Sequence, residues 1–76
     1  MEQKTIELFF QEYHVTNPDQ KAKLLLLLTD TIYEYNMGVV KLEQEKDAFK
    51  KKQIETDLQE TEDKIKDIIN DTLEKK

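Results

Sequence analysis

Three stretches of the chain repeat apolar residues at the spacing of an α-helix. The first stretch places aromatic and aliphatic residues every three or four positions, which puts them on one helical face. Its members are Ile6, Phe9, Phe10 and Tyr13. This pattern predicts a short amphipathic helix over residues 2–14. Because an isolated helix of this length is marginal in water, we expect its aromatic face to pack against another element.

The second predicted helix covers residues 18–37 and begins at a specific signal. Asn17 can accept hydrogen bonds from free backbone amides, and Pro18 suits the first helical position. The leucines that follow sort into two apolar stripes about 100° apart, with Leu24 and Leu27 outside both. One stripe consists of Leu25, Leu28, Ile32, Tyr35, Val39 and Leu42, and the other of Ala22, Leu26, Thr29, Tyr33, Met37 and Val40. Two stripes indicate that this helix has two neighbours.

The third predicted helix covers residues 39–75 and has the narrow apolar seam of a coiled coil. Isoleucine, leucine and threonine residues follow one another at alternating spacings of four and three positions. The seam consists of Ile54, Leu58, Thr61, Ile65, Ile68 and Thr72. A helix of this length extends beyond the second one, so we expect its seam to require a partner.

Gly38 decides how the second and third predicted helices are joined. As a helix end, the glycine takes the left-handed conformation and permits a hairpin. As an interior residue, it costs only about 1 kcal/mol relative to alanine. We favour a turn or kink at Gly38. The expected fold is all-α and a single domain over residues 1–76. A short N-terminal helix, a leucine-rich central helix and a long C-terminal coiled-coil-like helix form a helical hairpin or a three-helix arrangement.

Composition favours association with another molecule. The chain has 76 residues, no cysteine and a net charge of -5. A core this small is marginal without additional support, and disulfides are excluded. We therefore expect a homo-oligomer, with a dimer favoured, or a complex with a protein partner. Because the longest apolar run is the five leucines of residues 24–28, we expect no membrane span, and we expect a cytoplasmic location.

The residue types needed for catalysis are largely missing. There is no serine or cysteine nucleophile and only one histidine, so a catalytic triad cannot form. His14 lacks acidic or histidine neighbours at metal-ligand spacing. Nucleic acid is disfavoured as a partner by the acidic balance and the absence of arginine, although Lys50–Lys52 form a local basic patch. We expect no enzymatic activity, no cofactor and no metal.

The function expected from these patterns is protein–protein contact through self-association or packing against a partner helix. The candidate interface residues come from the second stripe and from the C-terminal seam. They are Leu26, Tyr33, Met37, Val40, Ile54, Leu58, Ile65 and Ile68. The alternative is a small acidic inhibitor or regulator, of the kind mobile elements encode, that binds a host enzyme or nucleic-acid-binding protein. In that case the acids between residues 55 and 71 would imitate a row of phosphates.

Overall fold

A hairpin of two long helices forms most of the molecule, and a short helix packs beside it. The protein is described here by a computed structural model that covers residues 2–74. Helix α1 spans Ile6–Glu12, α2 spans Pro18–Gln44 and α3 spans Ala48–Glu74. The described part of the chain measures 45 × 18 × 17 Å. The predicted all-α fold, in which α2 packs against α3 as a hairpin with a third helix, is confirmed.

Helix α1 is shorter than the predicted range of 2–14 because both of its ends are capped inside that range. The side chain of Thr5 accepts a backbone hydrogen bond from the first turn. At the other end, His14 has a left-handed backbone with φ 56°. The N–H of Val15 then donates to the carbonyl of Phe10 at 2.8 Å. This is a Schellman motif with histidine where glycine is more common, and it directs buried Val15 into the core.

Helix α2 begins at the predicted residue. The side-chain oxygen of Asn17 accepts hydrogen bonds from the backbone N–H groups of Asp19 and Gln20, at 2.8 and 3.2 Å. Pro18 occupies the first helical position, where its missing donor has no cost. The cap predicted from the sequence is therefore confirmed.

The predicted end of this helix at residue 37 and the turn at Gly38 are wrong. Helix α2 continues through Gly38 to Gln44, and Gly38 does not have a positive φ. A Cβ atom added to Gly38 would lie 2.6 Å from Cδ2 of Leu58. The glycine therefore makes room for the neighbouring helix and does not form a left-handed turn.

The hairpin turns at residues 45–47, which the sequence pattern had assigned to the third helix. The carboxylate of Glu45 accepts hydrogen bonds from two backbone N–H groups of the turn. The carboxylate of Asp47 then accepts one from the N–H of Phe49 at 2.8 Å and caps α3. The predicted start at residue 39 is therefore wrong, and Ala48 is the first helical residue. Residue 75, where this helix was predicted to end, lies outside the described residues.

The hydrophobic core runs between the three helices. Its members are Phe9, Phe10, Val15, Leu24, Leu28, Ile32, Tyr35, Val39, Leu58, Ile65 and Ile69. Most of the first α2 stripe is buried as predicted. At the N-terminal end of α2, however, Leu24 is buried and Leu25 is half-exposed. The buried face is therefore displaced by one residue in the part of α2 against which α1 packs. The ring of Phe9 meets that of Tyr35 edge-on, with 5.7 Å between their centroids.

Lys4 ties the N-terminal segment to both long helices. Its backbone N–H donates to the side-chain oxygen of Asn36, and the side-chain nitrogen of Asn36 donates to the Lys4 carbonyl, both at 2.8 Å. The Lys4 ammonium lies 3.1 Å from a carboxylate oxygen of Glu12 and 3.7 Å from one of Glu62. These contacts hold α1 against one side of the hairpin.

Candidate protein interface

A groove between α2 and α3 brings four of the predicted interface residues together. Tyr33 and Met37 line it from α2, and Ile54 and Leu58 line it from α3. The sequence placed these residues on two unrelated apolar patterns, and the hairpin sets the patterns side by side. We call this site the Gly38 groove. Its complete lining is Tyr33, Glu34, Met37, Gly38, Lys41, Ile54, Asp57, Leu58 and Thr61.

The base of the groove is formed where Gly38 faces Leu58. Because glycine has no side chain, Leu58 occupies the space beside the α2 backbone and is only 2% exposed. The groove has a volume of about 410 Å³. A partner side chain that enters it would meet the apolar groups of Met37, Ile54 and Leu58, because Leu58 already fills the space beside Gly38.

Exposed apolar side chains extend the groove along α2. Tyr33 is 65% exposed and Met37 is 40% exposed, while Leu26 is 88% exposed. Leu26 lies seven residues before Tyr33, so it shares the same helical face about two turns away. Neither α1 nor α3 covers this face. Tyr33 and Met37 adjoin each other on this face, whereas the exposed residues Thr29 and Asp30 separate them from Leu26.

The edge of the groove carries both signs of charge. Glu34 and Lys41 contribute from α2, and Asp57 contributes from α3. Within residues 2–74, neither Glu34 nor Lys41 forms an ion pair. The apolar pattern of the sequence does not single out these two residues. Their charges and spacing could have indicated them, since both flank the second α2 stripe at a separation of two helical turns.

The other predicted interface residues lie elsewhere. Leu26 is exposed beyond the groove, Val40 and Ile68 are half-buried, and Ile65 is fully buried. With Leu58 also buried, much of the seam of α3 is covered by the chain itself. The expectation that this seam requires a partner is therefore corrected: α2 is long enough to cover it, because it continues to Gln44.

The perturbed titrating groups lie beside α1 and not in the groove. Burial lowers the pKa of Lys4, but the hydrogen bond and charge of Glu12, together with Glu62, raise it above its ordinary value. Burial raises the pKa of Tyr13, and the carboxylates of Glu62 and Glu12 act in the same direction. Burial also raises the pKa of Tyr35, although Lys4 opposes this. Lys4 therefore stays charged and both phenols stay neutral at pH 7, as suits structural contacts.

Residues 2–74 contain neither a side-chain cluster suited to a metal ion nor a helix suited to crossing a membrane. No group of three or more histidine, cysteine, aspartate or glutamate side chains in this range is arranged to hold a metal ion. None of the helices in the same range combines the length and the apolar character needed to cross a bilayer.

Comparison of the chain with protein-family models, with curated proteins and with solved structures finds no match. The proposals that follow therefore depend on the geometry of the chain itself.

Proposed function

We propose that this protein is a non-enzymatic protein–protein interaction module that acts in the cytoplasm. The Gly38 groove and the exposed face of α2 form its binding surface. The observation that carries this proposal is the meeting of Tyr33 and Met37 with Ile54 in one groove over Gly38. A helix normally turns its apolar face toward the core, whereas this face is left in contact with water.

The binding mode that fits this surface is the packing of an amphipathic helix along α2. An apolar side chain of the partner would enter the groove beside Leu58, and the ring of Tyr33 would cover it. Burial of a large apolar side chain is worth about 1.5–3 kcal/mol when it is complete. Tyr33, Met37 and Leu26 together therefore supply several kcal/mol, from which the cost of association is subtracted. The phenol of Tyr33 tolerates a position at the edge of such a contact.

Site-specific photocrosslinking in the cells that naturally produce the protein tests this function. A photoreactive phenylalanine analogue replaces Tyr33 in one variant. In the matched control it replaces Asn70, which is exposed on α3 outside the groove. We expect protein adducts from position 33 and none from position 70. Equal yields from both positions, or no adduct from position 33, would contradict the proposal.

A small acidic inhibitor or regulator of a host enzyme or nucleic-acid-binding protein is the second candidate. Its support is a hollow beside the groove that gathers acids from both long helices, with Lys64 among them. The acids are Glu34, Glu60, Asp63 and Asp67. Binding through these carboxylates weakens steeply as salt increases, whereas binding through the groove, which is apolar at its centre, weakens much less. Paired variants separate the two candidates: neutralising Glu60 and Asp67 impairs only the acidic mode, and Tyr33→Asp impairs only the groove mode.

A further inference from the structure

We propose that the molecule that occupies the Gly38 groove is a second copy of this chain. The two α2 helices run antiparallel, and a two-fold axis passes between Met37 and Gly38. This inference depends on the proposed function, because it names the partner of the same surface. Three features of the groove support it: the charges at its edge, the apolar side chains at its centre and the position of α1.

The charges at the edge of the groove are complementary to themselves. Glu34 and Lys41 lie seven residues apart, which is about two helical turns on one face of α2. The midpoint between them falls between Met37 and Gly38. A two-fold axis at that point brings Glu34 opposite the second copy's Lys41, and Lys41 opposite its Glu34. Two ion pairs form, between side chains that have no ion-pair partner within residues 2–74 of their own chain.

The same charges disfavour the parallel arrangement. In a parallel pair, the two-fold axis runs along the helices. Each residue then lies at the same height as the identical residue of the second copy. Glu34 would then lie beside Glu34, and Lys41 beside Lys41. Like charges in contact oppose association, whereas the antiparallel arrangement replaces both repulsions with attractions.

The apolar side chains at the centre of the groove fit the same axis. The two-fold axis places Met37, which is 40% exposed, within about 1.5 Å in height of the second copy's Met37. The two flexible side chains can then pack against each other, while Leu58 of each chain keeps the space beside its own Gly38. The contact is therefore apolar at its centre and charged at its edge, as protein interfaces usually are.

The position of α1 leaves this contact unobstructed. No residue of α1 lines the Gly38 groove. The axis lies near the C-terminal end of α2, about 10 Å from Gln44 at 1.5 Å per residue. The turn ends of the two hairpins therefore overlap. The overlap covers only part of the 45 Å length, so we expect a small interface and dissociation in the micromolar range.

Sedimentation equilibrium on the full chain tests the second copy as occupant. The variants are Glu34→Lys, Lys41→Glu and the double exchange. Lys23→Glu is the matched control, because it makes the same charge change on an exposed part of α2 outside the groove. Circular dichroism checks that each variant keeps its helical content. We expect the wild-type mass to rise from 9.1 kDa toward twice that value as the concentration increases.

We expect each single exchange in the groove to weaken the dimer about tenfold, because each one turns two attractions into repulsions. The double exchange should restore association to within about threefold of wild type, and Lys23→Glu should change little. A wild-type chain that remains monomeric near 1 mM would overturn the inference. So would a double exchange that fails to restore the dimer, or a Lys23→Glu variant as impaired as Lys41→Glu.

The two proposals fail in distinguishable ways. A monomeric chain whose position 33 crosslinks to a different protein overturns the second copy as occupant and leaves the interaction module in place. A monomeric chain that gives no adduct from position 33 overturns both. An adduct between two copies of the chain, together with restoration by the double exchange, supports both.

Discussion

Replacing Gly38 by alanine tests why α2 continues through its glycine. In most exposed helix interiors this change stabilises, since alanine is favoured over glycine by about 1 kcal/mol. Here the added Cβ would lie 2.6 Å from Cδ2 and 3.3 Å from Cγ of Leu58. Carbon atoms in favourable contact are about 3.5–4.0 Å apart. The Leu58 methyl group must therefore move by roughly 1 Å within a packed core.

The net effect depends on how much this displacement costs. Leu58 is only 2% exposed, so it has little free space into which to move. Overfilling a packed core costs about 1–3 kcal/mol. Subtracting the gain of about 1 kcal/mol from helix propensity leaves an expected loss of about 1 kcal/mol for Gly38→Ala. In a Leu58→Ala background the obstacle is absent. The same Gly38→Ala change should then stabilise the protein by about 1 kcal/mol.

The wild type, the two single variants and the double variant form a double-mutant cycle. Urea unfolding, followed by far-ultraviolet circular dichroism at one protein concentration, measures the free energy of unfolding of each. Leu58→Ala alone should lower the free energy of unfolding by about 2–5 kcal/mol. The decisive quantity is the coupling between the two changes, which we expect to be about 2 kcal/mol. If Gly38→Ala stabilises the wild-type protein as much as the Leu58→Ala variant, the close approach of the helices does not explain the glycine.

Three further predictions concern the N-terminal part of the chain. His14→Gly should raise the free energy of unfolding in urea by about 1 kcal/mol, because φ 56° is strained for histidine; a loss would contradict the role in the Schellman motif. Asn36→Ala should cost about 1–3 kcal/mol and speed hydrogen exchange at the Lys4 amide, which loses its acceptor; unchanged protection would argue against this tether. Stability should fall in alkaline urea titrations, since folding raises the pKa of Lys4, Tyr13 and Tyr35. Their contribution is complete below the ordinary tyrosine pKa of 10.0 and is lost as pH rises through the raised values; constant stability up to about pH 11 would refute it.

The local signals in the sequence were sufficient for the class of fold and for one helix boundary. The near absence of glycine and proline, with apolar residues at helical spacing, predicted an all-α chain. The Asn17–Pro18 pair located the start of α2, because a helix cap forms between residues two or three positions apart. The apolar stripe that contains Tyr33 and Met37 could also be read from spacing alone. Each of these features depends only on neighbours along the chain.

The remaining boundaries required contacts between distant residues. Gly38 lies in a helix interior because Leu58, twenty positions later, packs into the space beside it. Residues 45–47 form a turn, with Asp47 as the cap of α3, only because α2 pairs with α3. His14 takes a conformation that glycine usually occupies, because burial of Val15 fixes the chain there.

The candidate interface also depends partly on the sequence and partly on the packing of the helices. The sequence showed which side chains are apolar, but not which of them water reaches. Packing of α2 on α3 buries Ile65 and Leu58 and leaves Tyr33 and Leu26 exposed. The physical reason is that periodicity defines the faces of a helix, whereas the number and direction of its neighbours decide which face is covered. The Gly38 groove exists only because two distant helices lie side by side.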